Sequence, residues 1–274
     1  MRSKAGRIFE PVAEQRLYRT EAIVLRHARS GEAGRVLTIL TPGYGKLRVV
    51  VKGVLRPTSH MAGHLELFAR SRLLLAHARG MDIITQAELV DSHPGLRESL
   101  EKTTAAAYAA EVVDRMTEEQ HENRDLYHLL AMTLAWIAVA PEAELPLRYL
   151  EMRMLDESGY QPELQRCQAC KRPLLPELNG FSPVAGGTLC SLCVGNYSDT
   201  RPLSVNALKV LRLLQTDELA QLRRVKLPAA LHRELETLLR AYLVHVTEQP
   251  MRSVSFLETV RSTPAAAPAR AETP

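Results

Sequence analysis

The feature that most constrains this chain is the placement of its cysteines. All four stand in two CxxC pairs, Cys167-Gln168-Ala169-Cys170 and Cys190-Ser191-Leu192-Cys193, with 19 residues between them. Four thiolates on two such knuckles supply the tetrahedral sulfur set that Zn²⁺ favours, and the spacing lies in the C-x2-C-x15-20-C-x2-C window of zinc sites. Two disulfides are disfavoured in a reducing cytoplasm, and four unrelated buried cysteines are disfavoured by the spacing. One zinc per chain is therefore expected on Cys167, Cys170, Cys190 and Cys193. With every coordination position taken by protein, its role is structural rather than catalytic.

The 274 residues suggest two domains. Met1 to Arg7 is basic, but no apolar run follows before Pro11, so neither a signal peptide nor a membrane span is expected and the protein reads as cytoplasmic. The formal charge of +4 is unevenly distributed. Residues 1–93 hold 15 Lys+Arg against 8 Asp+Glu, a net of +7, and residues 94–274 hold 20 against 23, a net of −3. Between Arg16 and His60 nine cationic residues face only Glu21 and Glu32. That imbalance is the footprint of a surface that meets a polyanion, although charge alone does not separate it from an idle basic surface.

Residues 20–90 read as strands. Thr20–Arg26, Arg35–Thr41 and Lys46–Lys52 are short β-branched runs, the last two joined by Pro42-Gly43-Tyr44-Gly45. Two further strands are expected within Leu65–His77 and Asp82–Ala87, split by Arg79-Gly80. Five strands in this space suit a small OB-type barrel, with an SH3-like barrel as the competing shape. In the third strand Lys46, Arg48 and Lys52 alternate with Leu47, Val49 and Val51. Period two sends the two sets to opposite faces, so the cations would stand about 7 and 13 Å apart along one outer face, commensurate with a phosphate backbone.

From Pro94 the apolar period becomes helical, through Leu96, Leu100, Ala107, Ala110 and Val113, then Leu126 to Ile137, then Leu147 to Met154 before Gly159. Ser204 is placed to cap a helix through Gln215, and Pro228 to occupy the first turn of another. Trp136 lies in an apolar helix and is expected in the core. The Ala- and Pro-rich tail 262–274 is expected to be disordered.

The remaining motifs are weaker. His60 and His64 share a helical i, i+4 spacing, but Gly63 and the barrel context argue against a metal-binding helix. Gly31-Glu32-Ala33-Gly34-Arg35 lacks both phosphate-loop patterns and reads as a hairpin. No Ser/His/Asp set or carboxylate cluster stands out, so a binding protein rather than an enzyme is expected. An RNA-binding OB module and a metal-dependent nuclease are the alternatives.

Tyr18-Arg19-Thr20-Glu21-Ala22-Ile23-Val24-Leu25-Arg26, Gly31 to Arg35, Thr41-Pro42 with Gly45-Lys46-Leu47-Arg48, and Lys52-Gly53 with Arg56-Pro57 resemble, in register and order, the N-terminal barrel of the RecO family. Gln86-Ala87-Glu88, Pro94-Gly95-Leu96-Arg97, Gly159-Tyr160 with Pro162-Glu163-Leu164, the first CxxC, and Phe181-Ser182-Pro183 with Gly186-Gly187 before the second continue the resemblance, which spans roughly Leu17 to Thr247. It implies an α+β chain: an extension at 1–16, an OB-fold barrel at 17–92, and a helical domain at 93–261 carrying a zinc module at 165–197. It also implies binding of single- and double-stranded DNA, annealing of complementary strands, and, with RecR, loading of RecA onto DNA coated by single-strand-binding protein. The acidic tail of that protein is expected to dock among the helices. No nucleotide cofactor is implied. The expected DNA contacts are Lys46, Arg48 and Lys52, from strand parity, and Arg35 and Arg56, which rest more on the resemblance. Tyr18, Tyr44 and Phe68 are the candidates for base stacking, and phosphate contacts are expected to dominate.

Overall fold

Alternating apolar and polar residues build five strands: β1 (Leu17–Ser30), β2 (Gly34–Thr41), β3 (Gly45–Val51), β4 (Arg70–Ala76) and β5 (Asp82–Asp91). This is a computed structural model, and it describes residues 17–56, 59–216 and 219–262. The first strand runs past its expected Thr20–Arg26 at both ends because it serves two neighbours. Residues 17–23 pair with β4 and residues 23–30 with β2, and a register shift between Val24 and Arg26 bends the strand from one to the other. Val49 and Val50 pair in parallel with Asp82 and Ile83, which closes the barrel in the order β1-β2-β3-β5-β4. That Greek-key closure is of the OB type and decides against the SH3-like alternative. Residues 31–33 form the expected hairpin turn rather than a phosphate loop.

Alternation places Ala22, Val24, Leu37, Ile39, Leu47, Val49, Val51, Leu73 and Leu75 inside the barrel. Ile23, Leu25, Leu40 and Phe68 are equally buried but belong to another core, the one built by the helices. One wall of the barrel is thus apolar on both faces, because its outer side is the floor of the helical domain.

That domain contains α1 (Leu100–Met116), α2 (Arg124–Val139) and α3 (Glu144–Glu157). After α3 the chain forms a small antiparallel sheet of β6 (Asn179–Ser182), β7 (Gly187–Leu189) and β8 (Arg201–Leu203), with β6 central. It then returns to α4 (Val205–Leu214), the short α5 (Leu219–Leu222), α6 (Ala229–Thr247) and α7 (Ser253–Ser262). Side chains of Ser99, Asn123 and Ser204 cap α1, α2 and α4 by accepting the N–H groups of Lys102, Leu126 and Ala207. Pro228 is the cap residue of α6, one position before the expected first turn. Ser262, expected to open the tail, instead ends α7. The expectations for residues 1–16 and for the rest of the tail lie outside the described residues. No helix among the described residues is long and apolar enough to cross a membrane.

Trp136 is in the core, edge-on to Tyr149, with the Arg223 guanidinium over its ring at 5.5 Å. The same core also encloses charge. Arg148 Nη2 and the Tyr108 hydroxyl both donate to Glu151 Oε1 at 2.6 Å, and Glu236 lies 3.8 Å from Arg148 Nη1. Burial pushes the Glu151 carboxyl up to about 7, and the favourable contact with Arg148 only partly opposes it. The folded state therefore holds this proton more tightly than the unfolded chain does. The resulting stabilisation is complete below the ordinary glutamate value and is lost as pH rises through about 7. The thermal midpoint should accordingly fall by at least about 2 °C between mildly acidic and mildly alkaline pH, and Glu151→Gln should flatten that dependence. Calorimetry of both proteins across this range checks it, and parallel curves would remove Glu151 as the cause.

Candidate nucleic-acid interface and metal centre

Strand parity in β3 holds: Leu47, Val49 and Val51 point into the barrel and Arg48 points out. The expected line of three cations does not survive assembly. Gly45 has a left-handed φ of 64°, and a Cβ there would lie 2.0 Å from the His121 carbonyl oxygen, so β3 begins tight against the loop between α1 and α2. The next residue, Lys46, is buried beneath the helical domain. Its ammonium reaches Asp114 Oδ1 at 3.1 Å and donates to the Asp114 carbonyl, while its own carbonyl accepts the Gln120 N–H at 2.9 Å. Lys46 is a strut between domains, and it leaves the set expected on the open face.

The other four expected residues divide into two groups. Arg48 stands on the outer wall, where the register sets it opposite Thr38 and Thr38 opposite Arg26. At the barrel mouth, Lys52 and Arg56 are exposed, and the turn carrying Arg56 is tied to the β1–β2 turn by Leu55 N–H donating to the Ala33 carbonyl at 3.2 Å. Arg35 reaches the same mouth from the inner side of β2 and lies 3.4 Å from Glu66, which partly neutralises it. Arg29, exposed and opposite Arg35 in the register, joins the mouth although the sequence reading passed over it. Its signal was the parity of β1, hidden by the register shift. Among the described residues Arg29, Arg48, Lys52 and Arg56 form no ion pair.

Of the stacking candidates, Phe68 is withdrawn: it is buried in the seam between barrel and helices, and its backbone is held by Val24 and His93. Tyr18 and Tyr44 lie at the opposite barrel end with ring centroids 4.6 Å apart, and His77 stacks on Tyr18 at 4.7 Å. Asp82 anchors the group by accepting the Tyr18 hydroxyl at 2.7 Å and by contacting the His77 ring at 3.2 Å. His64 is a structural residue whose Nδ1 accepts the Leu89 N–H at 2.9 Å.

The four cysteines converge. One sulfur from each lies within 4.8 Å of the others, and the Cys170 and Cys190 sulfurs are 3.8 Å apart. A tetrahedron of bonds about 2.3 Å long has edges of about 3.8 Å, so the set fits a tetrahedral metal. Burial would raise the Cys167 thiol, yet hydrogen bonds from the backbone at Cys170, Cys190 and Ala169 overcome it and hold the thiol down at about 6. In the second knuckle the shift is opposite, the hydrogen bond with Cys190 pushing the Cys193 thiol up to about 12. Each knuckle is closed by its own backbone, Lys171 N–H to the Cys167 carbonyl at 2.8 Å and Cys193 N–H to the Cys190 carbonyl at 2.9 Å. The module is fastened to α4 by the Arg212 guanidinium, whose Nη2 donates to the Leu164 carbonyl at 2.8 Å, and by Gln215 donating to the Pro162 carbonyl at 2.7 Å.

Comparison with known proteins gives two matches that together span most of the chain. Residues 15–93 match the family model "Recombination protein O N terminal" and residues 97–255 match "Recombination protein O C terminal". The chain is similar to the DNA repair protein RecO of Roseiflexus sp. (strain RS-1), 44% identical over 246 residues that cover 90% of this chain and 87% of that one. It is likewise similar to the RecO proteins of Dehalococcoides mccartyi (strain ATCC BAA-2266 / KCTC 15142 / 195), at 35% identity with 89% and 96% covered, and of Desulforudis audaxviator (strain MP104C), at 37% with 88% and 96% covered.

Lys46 and Arg48, two residues apart, are expected to behave oppositely when truncated. Lys46→Ala should cost about 1–2 kcal/mol of stability by removing the closer of the two cations at Asp114, with only Arg26 left at 3.9 Å, and nucleic-acid affinity of the folded protein should be little changed. Arg48→Ala should stay within about 0.5 kcal/mol of the parent and weaken binding. Denaturant titration paired with fluorescence anisotropy on a labelled oligonucleotide separates the two.

Proposed function

The chain belongs to the RecO family of DNA repair proteins, and on that premise we propose that it binds single- and double-stranded DNA and anneals complementary strands. With RecR it would help load RecA onto DNA coated by single-strand-binding protein, whose acidic tail would dock on the helical domain. The observation that carries this reading is the set of exposed cations that form no ion pair among the described residues on an OB-type barrel, Arg48 on the wall with Lys52 and Arg56 at the mouth. Arg35 belongs to the same surface, in a weaker role because Glu66 already engages it.

Annealing requires two polyanions to be brought together without either being trapped by sequence-specific contacts. Arginine and lysine side chains on a rigid strand and two linked turns meet that need: they neutralise phosphate, release counterions, and leave base edges free to pair. The protein contributes binding and positioning, and the base pairing itself is done by the DNA. The Tyr18–Tyr44–His77 group would add at most a local stacking contact.

We further propose that the metal on Cys167, Cys170, Cys190 and Cys193 is zinc in a purely structural role. These thiolates would hold two loops of a module that has little apolar core of its own and that reaches the helices through Arg212, Gln215 and the edge-on contact of Phe181 with Tyr242.

Two measurements follow. Arg48→Glu with Lys52→Glu should abolish most binding to DNA at moderate salt, and the Ala pair should reduce the salt slope by about 0.7 per lost contact on single strands and about 0.9 on duplex. A folded Glu pair with unaltered affinity and annealing, with RNA oligonucleotides run beside DNA, would overturn the assigned face. Elemental analysis of protein prepared without chelator should find one zinc per chain, and Cys170→Ser should lose the zinc and lower the thermal midpoint before it touches DNA affinity. Absence of zinc from the parent protein removes that claim.

A further inference from the structure

In the acidic half of the chain, cations gather along one side of α6. On α6, Arg233, Thr237, Arg240 and His245 lie on one side, facing β8 and the turn at Pro183-Val184. Two cavities of about 510 and 470 Å³ open there, and because both are lined by Arg201 and Thr237 they form one continuous groove. Arg233 and Arg240, seven residues apart on a helix, are separated by about 10.5 Å along its axis.

The carboxylates of this region are each held by hydrogen bonds or an ion pair, and Asp199 and Glu234 keep their charge on the groove lining. Asp199 accepts the Ser182 hydroxyl at 2.7 Å and the Val184 N–H at 2.9 Å, and Glu234 accepts the Ser204 N–H at 2.7 Å and its hydroxyl at 2.9 Å. Glu258 is engaged by Arg240. Arg201 and Arg233 are exposed and, among the described residues, form no ion pair. Arg201, Arg233 and Arg240 outnumber the lining carboxylates Asp199 and Glu234 by one, in a half of the chain, residues 94–274, whose net charge is −3. Arg233 and Arg240 also line the neighbouring cavity, there beside Glu142, Glu144, Glu236 and Glu258, which gives the groove one repelling edge. Its walls are aliphatic, with Val184 and Leu178 largely exposed, and they present no aromatic ring for stacking.

We propose that the groove between α6 and β8 is a second strand-binding track, which holds the phosphate backbone of one single strand while the barrel holds another. The proposal rests on the annealing reading and gives it a physical requirement. Two strands on one cationic patch displace each other, whereas two separate tracks on one chain raise the local concentration of each strand for the other. A groove with arginines and aliphatic walls is indifferent to sequence and sensitive to salt, as annealing demands.

The test uses the full chain with Arg201→Gln and Arg233→Gln together, and separately with both changed to Glu. Binding stoichiometry is read with labelled oligothymidylate, which cannot pair with itself, and annealing with complementary labelled strands. The parent protein should bind two oligothymidylates per chain. The Gln pair should keep the first site within about twofold, lose the second, and slow annealing by about tenfold; the Glu pair should do so more strongly, and thermal midpoints near the parent's show that folding is intact. If the Glu pair fails to fold, the Gln pair alone decides. One strand per chain in the parent, or normal annealing in a folded Gln pair, overturns the proposal. A Gln pair that anneals normally but loses affinity for an oligoglutamate peptide overturns it in favour of a peptide groove. The Arg48 and Lys52 variants lose the first site instead, so a failure of the barrel reading is distinguishable from a failure of the second track.

Discussion

The apolar seam between the barrel and the helices governs how the rest of the molecule is arranged. Ile23, Leu25, Leu40 and Phe68 belong to the barrel by sequence and to the helical core by burial. A small barrel has little interior to bury, and extending one of its walls into a second core ties its stability to that of its neighbour. Polar contacts flank the seam: Tyr127 donates to Glu21 at 3.2 Å, Gln120 to the Lys46 carbonyl, and Lys46 reaches Asp114. Docking also selects which surface of the barrel remains available. The covered wall loses Lys46, and Arg48, Lys52 and Arg56 remain open.

The same balance of charge and burial recurs at three depths. Deep in the helical core, Arg148 and Glu151 are fully buried and the cost of desolvation raises the carboxyl against its own partner. At the seam, Lys46 is mostly buried and satisfied by one carboxylate and one carbonyl. On the wall, Arg48 is exposed and forms no ion pair among the described residues. Their distance from solvent separates a group that fixes the core, a group that fixes domain orientation, and a group free to meet a polyanion.

The four-cysteine module follows a different route to order. Its sheet strands are three or four residues long, and its interior contributes little beyond Phe181, Leu189 and Leu203. Convergent sulfurs, with backbone amides directed at Cys167, stand where a larger module would have a core, and Arg212 and Gln215 fasten the module to α4.

Local rules made much of this legible in the sequence alone. Period-two alternation placed the β3 core, CxxC spacing placed the four cysteines that converge, and Ser204 marked the start of α4, because each depends only on residues near one another along the chain. The helical period marked α1 to α3, while α7 and the length of β1 were missed because tertiary partners on both sides sustain them. Parity could say that Lys46 and Arg48 share a face, but not that the loop after α1 would cover one of them. The approach of His121 to Gly45, the charge on Asp114, and the turning of Phe68 into the seam join residues far apart in sequence. Likewise, the clustering of Arg201 with Arg233 and Arg240 exists only once the metal module has folded back onto α6. The sequence by itself determined the barrel strands, the four-cysteine cluster and the sign of the surface charge; tertiary structure decided which cations stay in water, because burial is a property of what packs against a residue rather than of the residue itself.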